Sequence, residues 1–205
     1  MGQRTCMIVR QRNYNKYEDR WEVSTYVFHE QWGIGKCLPM DVLALVMYAS
    51  RTAGLDLIDR RSITNTSIMF SKAWNCTGDY GETYQQTQEM LSAWDFRDMK
   101  QVKKFIDEHH DNNNGGVYIE ITVPDYEHYR INYAFFSGYE EEKRGKYCDK
   151  GLTYKQWMNN WKEYKNKTFD KLWKSMCEWT GATPFNVVGK KLVPDTTFEG
   201  EDKLK

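Results

Sequence analysis

The run Asp111-Asn112-Asn113-Asn114-Gly115-Gly116 and the alternating segments after it constrain the fold more than any other part of the chain. Asn and Gly tolerate the left-handed conformations of a tight reversal. In Val117–Val123, Val117, Ile119, Ile121 and Val123 fall on one face, and Tyr118, Glu120 and Thr122 on the other. Pro124-Asp125 turns the chain, and Arg130–Phe136 alternates again through Ile131, Tyr133 and Phe135. Period-two alternation on both sides of a turn predicts an antiparallel hairpin. A second hairpin is predicted from Thr5–Gln11 and Trp21–Glu30, joined by a long polar tip.

Helices fill the remaining segments. Pro39 suits a first helical turn, and Met40–Ser50 is apolar on nearly every side, as a buried helix requires. Asp98–His110 carries an apolar stripe of Met99, Val102, Phe105 and Ile106. Tyr84–Trp94, Thr153–Tyr164 and Thr168–Trp179 also read as helices, with Thr153 as a cap and Gly181 as a stop. Asn75–Glu82 reads as a loop, and Asp56–Ser71 fits either a strand or a short helix. The expected class is α+β: a mostly antiparallel sheet built from two hairpins, with helices packed on one face. Residues 1–194 form one domain in this reading, and 195–205 a flexible polar tail.

Composition narrows the function. The 205 residues carry 29 basic and 29 acidic side chains, and this balance argues against a general nucleic-acid binder. The five cysteines are scattered and form no C-x-x-C pair, so reduced thiols are expected rather than a disulfide framework. No apolar run approaches the roughly 20 residues that span a bilayer. No leader-like start is seen either, so a cytoplasmic protein without membrane contact is expected.

The clearest candidate site is His29-Glu30-Gln31-Trp32-Gly33-Ile34-Gly35-Lys36, between a strand and a helix. Gly33 and Gly35 let backbone amides approach an anion, Lys36 can pair with a phosphate, and Trp32 can stack on a base. Arg60 and Arg61 are candidates for a charge clamp. The stretch lacks the spacing of a Walker loop and the third dinucleotide-binding glycine, and it also reads as a plain strand-to-helix turn over a packed Trp32. His109, His110 and His128 fit exposed polar positions as readily as a metal site, and no metal or other cofactor is expected. Glu30 and Glu120 read as solvent-facing carboxylates, and no nucleophile–base spacing is recognisable. Trp157, Trp161, Tyr164 and Trp173, interleaved with lysines, suit either a partner-binding face or a helical core.

The H-x-Q-W-G-I-G-K turn and the N-N-N-G-G-V-Y-I-E-I turn-strand resemble stretches of accessory proteins of tailed bacteriophages. The resemblance covers these two stretches and assigns no catalytic residue. It implies an accessory protein of phage type, a class in which some members counter host defence by binding an effector or trapping a nucleotide signal; the glycine turn and the aromatic surplus favour sequestration of a phosphate-bearing signal nucleotide. The alternatives are an inhibitor of a host defence protein, an enzyme acting on nucleotides or nucleic acid, and a virion component. The aromatic surplus adds an expectation of homo-oligomers.

Overall fold

The computed structural model describes residues 4–30, 37–52, 80–83, 91–108, 114–125, 127–138, 153–161 and 166–201. In chain order they form β1 (Thr5–Asn15), β2 (Arg20–Glu30), α1 (Cys37–Thr52), β3 (Tyr80–Thr83), α2 (Met99–Glu108), β4 (Gly115–Val123) and β5 (Arg130–Ser137). They continue with α3 (Tyr154–Asn160), α4 (Lys167–Thr180), β6 (Thr183–Pro184), β7 (Asn186–Val188) and β8 (Lys191–Val193).

Two antiparallel hairpins, β1–β2 and β4–β5, form the heart of a six-stranded sheet ordered β3-β2-β1-β4-β5-β6. The class is α+β and the sheet is mostly antiparallel, as the alternation predicted. The hairpins meet through β1 and β4, which run parallel with Met7 opposite Val117 and Arg10 opposite Glu120. Gly116 sits at this seam, where an added Cβ would lie 2.4 Å from the Cys6 carbonyl oxygen. Strand β3 lies within a segment that reads as a loop in the sequence, and β7–β8 form a separate small hairpin.

Helices cover both faces, not one. On the first face, α1, α3 and α4 close over Met7, Val9, Val117, Ile119, Ile131 and Phe135. On the second, the stripe of α2 packs on Cys6, Ile8, Val27, Tyr118 and Phe136. An amphipathic stripe predicts burial but not the side of the sheet that buries it. Among the described residues, no helix is long and apolar enough to cross a membrane.

The C-terminal aromatics belong to the core. Trp157 is 0% exposed and stacks on Phe135, with ring centroids 5.5 Å apart. Trp173 stacks on Tyr154 at 4.4 Å and meets Tyr133 edge-on at 5.4 Å. Trp161 is buried beside Trp157. These three side chains are therefore not an exposed partner face, because their helical spacing turns them onto the sheet; Tyr164 lies outside the described residues. The ends of the helices follow local chemistry. Thr153 and Gln156 form a reciprocal capping box on α3, and Gly181 closes α4 at φ 68°.

Trp157→Ala is expected to lower the unfolding free energy by about 3–5 kcal/mol in urea denaturation. Trp179→Ala, at a site 61% exposed, is expected to change it by less than about 0.5 kcal/mol. Similar losses at the two positions would contradict this packing.

Candidate functional site

The second sheet face changes character halfway along the strands. The rows Cys6–Gly116–Phe136 and Ile8–Tyr118–Ala134 are largely apolar. The next rows are Arg10–Glu120–Asn132 and Arg12–Thr122–Arg130. Alternation sends every second side chain of β1, β4 and β5 to this face, so charges from three strands converge there.

Two further segments complete the cluster. The chain before α2 is fastened to β8, where Leu192 N donates to the Arg97 carbonyl at 2.8 Å and Met99 N to the Lys190 carbonyl at 2.9 Å. This places Arg97 over Glu120. From the C-terminal side, a turn at 198–201 carries Glu201 inward, with Glu201 N donating to the Phe198 carbonyl at 3.2 Å. The stretch 195–201, expected to be a loose tail, is thus a strap laid across the sheet; 202–205 lie outside the described residues.

Glu120 and Glu201 sit between three arginines. Glu201 Oε1 accepts from Arg97 Nη2 at 2.6 Å, Arg130 Nη2 at 2.6 Å and Arg12 Nη1 at 3.1 Å. Its Oε2 accepts from Arg130 Nη1 at 2.8 Å and Phe198 N at 3.0 Å. Glu120 Oε1 accepts from Arg97 Nη2 at 2.6 Å, and Oε2 from Arg97 Nε at 3.2 Å and the Tyr118 hydroxyl at 2.8 Å. Arg130 Nη2 also donates to Thr122 Oγ1 at 3.0 Å. Both glutamates are fully buried.

Burial alone would favour neutral carboxyls. It pushes Glu201 up, but hydrogen bonds from Arg130, the Phe198 amide and Arg97 outweigh it and bring the group down to about 2. Glu120 is likewise held below the ordinary carboxylate range, because Arg97, Arg12 and the Tyr118 hydroxyl overcome its desolvation. Arg12 is lowered, first by burial; Glu120 and Glu201 oppose the shift while the charges of Arg97 and Arg10 add to it.

The cluster opens into a cavity of about 830 Å³ whose lining includes Arg10, Arg12, Arg97, Lys191, Asp95 and Glu201, with Trp94 in the wall. Among the described lining residues, four cations therefore face two carboxylates. Lys191 pairs with Asp95. Arg10 is half-buried, its Nε has no hydrogen-bond partner, and it makes no ion pair with any described residue. A half-buried guanidinium with no ion pair, facing Asp95 only at longer range and standing beside other arginines, makes the cavity attractive to anions.

Of the residues singled out in the sequence that the structure describes, Glu120 alone lies in this cluster, and it is buried rather than solvent-facing. His29 occupies β2 opposite Cys6, with its side chain outside the described residues. Trp32, Gly33, Gly35, Lys36, Arg60, Arg61, His109 and His110 also lie outside them. His128 is exposed, with its Nδ1 2.8 Å from Asp125 Oδ1. Among the described residues, no group of three or more His, Cys, Asp and Glu side chains could hold a metal ion. The residues that sequence reasoning missed are Arg10, Arg12, Arg97, Arg130 and Glu201. Their signal was opposite charge at same-face positions of strands that become neighbours only in the folded sheet.

Comparison of the chain with protein-family models, with curated proteins and with solved structures finds no match.

The depressed carboxylates fix the sign of the pH response. Glu201 falls from an ordinary 4.5 to about 2 on folding. Protonation therefore favours the unfolded chain, and the contribution is complete above about pH 5 and lost as pH falls toward 2. Urea denaturation is expected to show a loss on the order of 3 kcal/mol from Glu201 across that interval. Glu201→Gln is expected to be less stable by about 3–5 kcal/mol at pH 7 and to titrate less steeply. An unchanged acid profile in the variant would remove Glu201 from the network.

Proposed function

We propose that this protein binds a phosphate-bearing small molecule, with a nucleotide as the favoured class, in the arginine-lined cavity, and acts by capture. The observation that carries this reading is the charge imbalance among the described lining residues of the cavity, with Arg10 making no ion pair to any of them. An excess of two positive charges matches a phosphate monoester, which carries close to two negative charges at neutral pH. Guanidinium groups suit phosphate oxygens because their donors form a planar fork. Trp94 in the cavity wall offers an aromatic surface for a base or other ring.

The setting we propose is that of a phage accessory protein that withholds a signal nucleotide from a host defence effector. The resemblance at His29–Lys36 and Asn112–Ile121 supports that setting, and the cavity supports the ligand class. The competing reading, a protein partner held by the C-terminal helices, draws less support because Trp157, Trp161 and Trp173 are buried, leaving Trp179 exposed on α4.

Calorimetry with pyrophosphate and a panel of mononucleotides is expected to show saturable binding that weakens with added salt. Arg10→Ala is expected to weaken it about 10–100-fold, the equivalent of one charge-assisted hydrogen bond, with the fold intact by circular dichroism. If nothing in the panel binds at millimolar concentration, the capture reading is lost.

A further inference from the structure

The carboxylate of Glu201 occupies a place that a phosphoryl group would fit. Arg130 grips it with two parallel hydrogen bonds, and Arg97 and Arg12 add one each. Such a fork-and-clamp arrangement is the geometry with which arginines hold oxyanions. Glu201 also lines the cavity, so its seat is continuous with the space beside Arg10.

The rest of the strap is anchored mainly at its ends: Asp195 accepts from Asn132 Nδ2 at 3.3 Å and Thr183 Oγ1 at 3.2 Å, and the Glu201 carbonyl from Arg12 Nη2 at 2.9 Å. Asp195, Thr196, Thr197 and Glu199 are exposed. Phe198 rests on the Arg130 guanidinium, with 5.5 Å between the ring centroid and Cζ, and the Thr196 carbonyl accepts from Arg130 Nη1. The strap's grip on the cluster thus rests mainly on arginine donors, and those donors would serve an incoming anion equally well. Little apolar surface is buried to resist the exchange.

The geometry points to a ligand with a terminal phosphate, which enters the Arg12–Arg97–Arg130 seat and displaces Glu201 together with the strap. This rests on the reading of the cavity as a phosphate site, and narrows it. With Glu201 gone, the three arginines face only Glu120, an excess of two positive charges. A terminal phosphate dianion cancels that excess, whereas an internal phosphodiester supplies a single negative charge. Glu120 stays in place because β4, Arg97 and the Tyr118 hydroxyl hold it from the sheet side. Ligand binding is then coupled to release of the chain's own carboxylate, and the affinity measured is the net of that exchange.

The test uses the full chain, titrated with 5′-AMP, pyrophosphate and 3′,5′-cyclic AMP. Binding is followed by calorimetry, and the amides of 195–201 by hydrogen exchange. The terminal-phosphate compounds are expected to bind at least about tenfold more tightly than the cyclic diester, equivalent to roughly one charge-assisted contact. Saturation with them is expected to abolish the protection of the strap amides. Phe198→Ala, which loosens the strap and uncovers Arg130 without removing a donor from the seat, is expected to tighten 5′-AMP binding, and Glu201→Gln to do so more strongly. Binding of 5′-AMP with undiminished strap protection would overturn the displacement while leaving the cavity reading intact. So would equal affinity for the cyclic diester. Absence of binding by all three compounds would overturn both.

Discussion

Two carboxylates buried among arginines on one sheet face set the terms for the rest of the molecule. A charge removed from water is tolerated only where opposite charge and hydrogen bonds surround it. Glu120 and Glu201 meet that condition because five separate pieces of chain deliver donors to one place: β1, β4, β5, the segment before α2, and the strap. The demand is therefore also a constraint on topology. The parallel seam puts Arg12 opposite Thr122 and Arg10 opposite Glu120. A one-residue slip of β1 would send both arginines into the apolar layer beneath α1 and bring Met7 and Val9 into the ionic layer. Unpaired burial of that kind is costly enough to help specify the register, beyond whatever net stability the ion pairs supply.

The two faces of the sheet divide the labour. The first is largely apolar, packed with Phe135, Trp157, Tyr154 and Trp173 in stacked and tilted contacts. It gives β1, β4 and β5 a rigid backing. The second begins apolar at Cys6, Ile8 and Phe136 and becomes ionic two rows later. The arginines therefore stand on strands that are already fixed from behind. Positioning of this kind reduces what a ligand must spend in ordering the groups that bind it.

Much of the fold was legible because its signals are local. The β4–β5 hairpin follows from the Pro124-Asp125 turn and from the alternation on either side of it. The cap at Thr153 and the stop at Gly181 follow from side-chain and backbone chemistry at single positions. What could not be read was long-range. Gly116 and Cys6 lie side by side across the seam, yet nothing near either residue announces the other. Glu120 read as solvent-facing because an antiparallel sheet often leaves one face wet. It is buried because α2, Arg97 and the strap close that face. Glu201 was hidden for the opposite reason: the exposed Asp195, Thr196, Thr197 and Glu199 around it have the composition of a loose end, and composition does not record that one carboxylate among them meets three arginines. The tryptophan stripe of α3 was ambiguous from the start, since the same spacing suits a core or an interface, and only burial decides. The Gly33–Lys36 turn lies outside the described residues.

The charge count among the described residues supports the proposal that this cluster is more than a means of closing the sheet. A face needing only closure would extend the rows begun by Cys6 and Ile8 with further apolar residues, since well-packed hydrophobic replacements for buried ion pairs are often neutral or more stable. A purely structural ionic network would be expected to balance itself. This one does neither. It crowds Arg12 between Arg10 and Arg97, so that like charge adds to burial in lowering its affinity for a proton. It also leaves Arg10 half-buried, with its Nε unbonded and no ion pair to a described residue, although its charge is felt at Asp95. Local departures from the rules of stable packing are characteristic of sites where binding, rather than stability, is served. The strap fits the same logic, because a single internal carboxylate quiets part of the positive excess without cancelling it, keeping the fold intact while leaving the cavity in deficit of negative charge.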